Sequence, residues 1–358
     1  MRQLATIREI SAIRPIEGAD RIVVAQVDGW ECVVQKDEFH VGDHIVYVEV
    51  DSVVPERPEF EFLRDRKFRV RTIKLRGQVS QGLVLPMTIL PVGRYALGSD
   101  VTEILGITKY DPQAQQEAML LQKKPPQNRF VKFMMRFKWY RKLFAKPKRK
   151  GGFPDWIAKT DETRIQNLTT LFEVEQKRGT PFSVTEKMDG QSVTYYLRRL
   201  SKRKFEFGVC SRNIYLGTPD NSSYWTIARQ YDIENVLKKL IGDYETVVMQ
   251  GEICGSGIQG NKYHISNYDL FVFNLIFPDR KCTTAEIAEL VAPLGLKTVP
   301  ILEEGKVLPE TIAELVEYSK GSSVVRKGQK REGVVMRNLK NNISFKVINP
   351  DFLLAEKD

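Results

Sequence analysis

The chain has 358 residues, 42% of them hydrophobic, enough for two ordinary domains or one large one, and this excludes wholesale disorder. No apolar run approaches the roughly 18 residues of a membrane span, the start Met1-Arg2-Gln3-Leu4-Ala5 opens no signal core, and four widely spaced cysteines exclude a disulfide scaffold or a CxxC knuckle. A soluble, cytoplasmic protein is expected, and the net charge of +10 makes a polyanion a reasonable partner.

From the N-terminus to about residue 110, short apolar runs alternate with Gly, Pro and Asp. Residues 21–27 and 30–34 are β-rich and joined through Asp28-Gly29, a hairpin signal, and residues 44–50 and 68–73 alternate with period two. A small β-barrel of the oligonucleotide-binding (OB) kind over 1–110 is the first expectation, with an SH3-like barrel as the alternative. Residues 111–154 read as a connector. Between Ala118 and Pro154 there are twelve Lys or Arg and no acidic residue, so the rest of the chain is near neutral and the excess charge is local. Phe130, Phe133, Met134, Phe137, Tyr140 and Phe144 recur at helical spacing within it, and Lys146 to Gly152 ends any helix. Contact with nucleic-acid phosphates is one reading of this segment. A helix docked on its own protein and a membrane-surface helix are the others.

From residue 155 to 358, helices are expected at 236–240 and 284–290 and strands at 182–188, 192–197, 246–250, 269–277, 333–337 and 343–348. Strands and helices do not alternate regularly, which favours an antiparallel α+β domain over a doubly wound sheet. Lys187-Met188-Asp189-Gly190 reads as an Asp-Gly turn between two strands, with Lys187 at a strand end. Glu252 directly follows one apolar strand and Glu332 precedes another. In 343–348 the apolar Ile343, Phe345 and Val347 share one face and leave Lys346 on the other. The run 269–277 is almost wholly apolar and could set an aromatic such as Phe273 against a flat ligand.

In this order the segments resemble the motifs of the covalent nucleotidyltransferase superfamily of DNA ligases, RNA ligases and capping enzymes: Lys187-Met188-Asp189-Gly190, Ser211-Arg212-Asn213, Glu252, Phe271-Val272-Phe273-Asn274, Glu332-Gly333-Val334-Val335 and Lys346. Within it, residues 160–167 and Gly257-Ile258-Gln259-Gly260-Asn261 look like RNA ligases, and 74–83 resembles the branch with an N-terminal OB module. The implied architecture is α+β, an OB-like β-barrel followed by an antiparallel-sheet nucleotidyltransferase (ATP-grasp-like ligase) domain. Two features depart from the DNA ligases and capping enzymes: only 12 residues follow Lys346, and Gln191-Ser192 stands where DNA ligases usually carry an arginine. Many relatives have Lys-x-Lys in the last motif, whereas Ser344 and Ile348 flank Lys346 here.

The resemblance implies an ATP-dependent RNA ligase, acting in RNA repair as a monomer on RNA 3′-hydroxyl and 5′-phosphate ends, with nicked duplex as one possible substrate. Lys187 would be the AMP-accepting nucleophile, with Lys346 and Arg164 on phosphates. Asp189, Glu252 and Glu332 would hold Mg²⁺ or Mn²⁺, through water if Mg²⁺. Adenine would stack on Phe273 with Glu186 at its polar edge and Arg212 toward the ribose, and Glu252, Glu332 and Lys346 would complete the nucleotide site. Arg71, Lys74 or Arg76 of the OB module would reach ATP, and Gln259 could approach the substrate. Lys187 has to be neutral to attack, which a metal and Lys346 would favour. His40, His44 and His264 are scattered and expected to be non-catalytic. A capping-type guanylyltransferase, an ATP-dependent DNA ligase and an inactive nucleic-acid-binding protein are the alternatives.

Overall fold

The structure, a computed structural model, describes residues 3–111 and 151–355. The expected basic helix with its aromatic stripe lies outside the described residues. Among the described residues no helix is long and apolar enough to cross a membrane.

The N-terminal domain is an OB-fold barrel. Its five-stranded antiparallel sheet runs in the order Trp30–Gln35, Ile22–Val27, Ala5–Pro15, His44–Val48, Leu83–Pro86. The expected hairpin through Asp28-Gly29 is present, with Val27 opposite Trp30. The long first strand pairs with His44–Val48 through residues 5–9 and with Ile22–Val27 through residues 10–15, with an irregularity between Ile10 and Ala12. A bulge there bends the strand, so one ribbon serves both halves of a curled sheet. The expected strand at 68–73 is split into Arg69–Val70 and Thr72–Leu75, which pair in separate small sheets.

The C-terminal domain packs two sheets around a cleft. The seven-stranded sheet has the order Gly151–Gly152, Ile214–Tyr215, Lys204–Cys210, Gln191–Ser201, Thr246–Gly255, Tyr268–Ile276, Lys297–Thr298, antiparallel except for the last pair. The four-stranded antiparallel sheet has the order Ile301–Lys306, Phe182–Glu186, Gly333–Asn338, Ile343–Ile348. Alternation decides what each sheet does with its two faces. On the smaller sheet Phe182, Val184, Val334, Met336, Phe345 and Val347 form a core with Phe172 and Leu315 of the helices Thr169–Arg178 and Ile312–Ser319. Thr185, Val335, Arg337 and Lys346 point the other way, into the cleft. On the larger sheet Val193, Tyr195, Leu197, Val247 and Met249 pack against the helices Ser223–Gln230, Ile233–Leu240 and Thr284–Val291.

The expected hairpin through Asp189-Gly190 is not formed. Phe182–Glu186 and Gln191–Ser201 are not the arms of a hairpin, because they belong to different sheets. Residues 187–190 are the crossover between them. A side chain at Gly190 would meet the Ile253 carbonyl oxygen at 2.4 Å and the Glu252 Cγ at 2.9 Å, so glycine is what lets the crossover lie against the strand carrying Glu252.

The two domains are joined by polar contacts around the barrel's Asp28-Gly29 turn. The Gly29 amide donates to the Gln166 carbonyl at 3.3 Å, and a Cβ at position 29 would stand 2.8 Å from the Gln166 Cα. The indole of fully buried Trp30 donates to Asn167 Oδ1 at 2.7 Å, and Asn167 Nδ2 donates to Glu49 at 2.6 Å.

Candidate active site

Between the two sheets, and closed on one side by the barrel, lies a cavity of about 860 Å³. The larger sheet contributes Ser192, Glu252 and Phe273, the smaller sheet Glu186, Arg337 and Lys346, and the crossover contributes Lys187 to Gly190. Four side chains of the segment 160–164 are tied down. Thr160 shares a 2.8 Å hydrogen bond with Ser192, Asp161 forms an ion pair with Arg212, and Glu162 pairs with Arg337 at 3.2 Å. Arg164, 5% exposed, pairs with Asp51 of the barrel at 3.1 Å, and the Lys346 amide donates to the Thr163 carbonyl at 2.9 Å. Asp51 also binds Arg69 at 2.6 Å, and the Arg69 guanidinium lies over the Tyr110 ring. The barrel thus orients cations along one wall of the cleft.

At the inner end Lys187 Nζ donates to both carboxylate oxygens of Glu332, at 2.7 and 2.6 Å. Burial pulls the Lys187 ammonium down, but Glu332, Glu252 and Asp189 outweigh it and hold the lysine above its ordinary value. The expected depression of Lys187 is therefore not a property of the protein by itself: Glu332 is its nearest charge. Burial, reinforced by Glu332 and opposed by Lys262 and Lys187, pushes Asp189 up to about 6. Burial, opposed by Lys187 and reinforced by Glu332 and Asp189, pushes Glu252 up to about 8. Glu186 is raised by burial, and its Oε2 accepts from the Val324 amide at 2.8 Å.

These shifts make a stability prediction. The folded state binds the Glu252 proton more tightly than the unfolded chain, so metal-free stability declines as pH rises from about 4.5 to about 8. Glu252→Gln removes that decline. In metal-free buffer its Tm is expected to exceed that of the wild type above pH about 8 and to converge with it near pH 4.5. A difference in Tm that does not change with pH, followed by scanning calorimetry, contradicts this.

Comparison with known proteins agrees with the geometry. Residues 4–87 match the OB-fold domain family and residues 180–348 the RNA ligase family. A Naegleria gruberi RNA ligase mutant solved with AMP and Mn is 35% identical over 100% of both chains, with a TM-score of 0.80. The chain belongs to the RNA ligase family. A second mutant of the Naegleria ligase, solved with ATP and Mn, is 34% identical over 100% of both chains with a TM-score of 0.80. The same ligase with PPi is 35% identical over 99% of this chain and 98% of that one, with a TM-score of 0.79. No match was found among curated proteins. The capping-enzyme, DNA-ligase and inactive-binder alternatives give way to a ligase acting on RNA.

The ligase brings Lys187, Asp189, Glu186, Arg164, Arg212, Glu252, Phe273, Glu332 and Lys346 to one cavity, which also reaches Arg71 and Gln259. Lys74, Arg76 and the three histidines do not line it. Among the described residues no group of three or more His, Cys, Asp or Glu is gathered to hold a metal directly. What the sequence left unmarked is the barrel's share, Asp51, Arg69, Lys109 and Tyr110, together with Arg337 and Lys262. Arg337 pairs with Glu162 and donates to the Phe273 carbonyl at 2.9 Å, so it positions the strand that carries the aromatic.

Proposed function

We propose that the chain seals RNA 3′-hydroxyl and 5′-phosphate ends in three nucleotidyl-transfer steps, using ATP and Mg²⁺ or Mn²⁺. The observation that carries this reading is Lys187 on a crossover between two sheets, facing Glu332, Glu252 and Asp189 in a cleft large enough for a nucleotide. In the first step Lys187 Nζ attacks the α-phosphorus of ATP, its N–P bond forms, and pyrophosphate leaves. In the second the RNA 5′-phosphate displaces Lys187 and takes the AMP; in the third the 3′-hydroxyl attacks the 5′-phosphate and AMP departs. All the groups named come from one chain, so a monomer suffices.

Asp189, Glu252 and Glu332 suit a hard divalent ion, being oxygen donors whose mutual repulsion and burial already raise two of them. Since they are not gathered as a direct cage, water-mediated holding is the better fit. When bound, the ion offsets the carboxylate charge that keeps Lys187 protonated and the charge on the α-phosphate. Deprotonating an ordinary lysine at pH near 7.4 costs roughly 4 kcal/mol, so a bound ion that draws Glu332 away from Lys187 raises the share of neutral amine. Phe273 offers a ring face to adenine and buried Glu186 an acceptor at its edge. Arg212, fixed by Asp161, faces the sugar, and Lys346 and Arg164 face phosphates.

The test is incubation with a 5′-phosphorylated, 3′-hydroxyl RNA, ATP and Mn²⁺. A sealed product that requires ATP supports the proposal; no sealing, or a requirement for GTP, contradicts it. The segment 111–154 is proposed to hold the RNA backbone. Reversing Lys138, Arg141, Lys142 and Lys146 to glutamate is expected to weaken RNA binding and to flatten its salt dependence, since log K changes with about 0.7 per neutralised phosphate on single strands. An unchanged slope by fluorescence anisotropy makes the segment a connector only.

A further inference from the structure

Lys346 is the one lysine of the strand Ile343–Ile348. Ser344 and Ile348 share its face; Ile348 also lines the cavity, whereas Ser344 does not line it and instead accepts from Arg337 Nε at 3.4 Å. The strand therefore presents one cation and one apolar group where a transferring phosphate calls for charge on more than one side. The helix Pro350–Leu354 begins two residues after Ile348, and its Phe352 also lines the cavity. On the Phe352 ring, 3.9 Å from its centroid, rests the ammonium of Lys262, which also binds Asp189 Oδ2 at 2.8 Å.

The loop that carries Lys262 is built to hold it. Gln259, Gly260 and Asn261 are all left-handed, with φ of 46°, 68° and 48°. Such a run persists only where the surroundings enforce it. Asn261 enforces it by accepting from the Ile265 amide and donating to the Ile265 carbonyl, both at 3.0 Å. Arg326 donates to the Lys262 carbonyl at 2.9 Å. A flexible lysine stem is ordinarily free to wander, but this one starts from a fixed backbone and its ammonium is seated on an aromatic face.

We infer that Lys262 is a catalytic residue that supplies the second phosphate-neutralising cation of nucleotidyl transfer, from a loop and not from the strand of Lys346. Its ligand is the α-phosphate of ATP beside Lys187, and it exchanges Asp189 for that phosphate when the nucleotide binds. The inference rests on the ligase reading and adds to it a residue that takes part in the chemical step.

The experiment measures single-turnover formation of the lysyl-AMP adduct from labelled ATP at saturating nucleotide. Lys262→Met keeps an unbranched side chain of similar length and removes the charge. It is expected to lower the rate about 10²-fold with little change in the ATP concentration that gives half-saturation, and Lys262→Arg is expected to keep most of the rate. Adding Ile348→Lys to Lys262→Met restores at least tenfold if charge at this place is what matters. A purely structural lysine instead predicts a lowered Tm and no recovery from Ile348→Lys, which overturns the inference, as does a Lys262→Met rate within threefold of the wild type. Wild-type labelling in the same assay separates the two levels: unlabelled wild type removes the ligase reading itself, and labelled wild type with equally labelled Lys262→Met removes only this inference.

Discussion

Lys187→Ala is expected to abolish AMP-labelling and the sealing of 5′-phosphorylated RNA, and to leave intact the sealing of RNA supplied with a ready-made adenylylated 5′ end. The nucleophile is consumed and regenerated before the third step, so a substrate that enters at that step has no need of it. The geometry adds a second reason for a complete loss, because Lys187 is the one lysine of the crossover 187–190. Lys262 is engaged with Asp189 and Phe352, and Lys346 stands on another strand of the smaller sheet, Ile343–Ile348. Gel assays with both substrates check this. Labelling above background in the variant, or failure on the adenylylated strand despite a folded protein, contradicts it.

Glu332→Ala and Glu252→Ala are expected to lower the rate of lysyl-AMP formation at least 10²-fold each, about 3 kcal/mol, because each removes a charge fixed beside the transferring phosphoryl group. They should differ in pH dependence. Glu332 receives both hydrogen bonds from Lys187 and is the strongest of the charges that hold it protonated. Its loss therefore moves the rising limb of the pH–rate profile toward acid, even as the maximum falls. Glu252 contributes less to the charge on Lys187, so its loss lowers the profile with a smaller displacement. Stopped time courses across pH and metal concentration measure both, and near-normal rates at any metal concentration contradict the role assigned.

Period-two alternation was enough to place Lys346 on the cavity face and Phe345 and Val347 in the core, because a strand buried on one face leaves no second solution. The barrel was legible for a related reason, since its hairpin turn and alternating strands are local signals. The crossover at 187–190 was not, because Asp-Gly ends a strand equally well before a hairpin and before a change of sheet. Only the long-range pairing of Glu186 with Val334, and of Gln191 with Ile253, separates the two. The same limit hid Asp51, which pairs with Arg164 113 positions away, and Arg69, which is held through Asp51. Lys262 stands one residue beyond the glycine-rich run 257–261, yet nothing in the run tells that its side chain meets Phe352.

The proposed mechanism requires a covalent AMP on Lys187, and peptide mass spectrometry of the protein after incubation with ATP and Mn²⁺ tests this most directly. One adduct of AMP mass is expected, on the peptide that contains Lys187, absent in Lys187→Ala and discharged by pyrophosphate or by 5′-phosphorylated RNA. An adduct on another lysine, a GMP adduct formed in preference when both nucleotides are offered, or no adduct at all contradicts it.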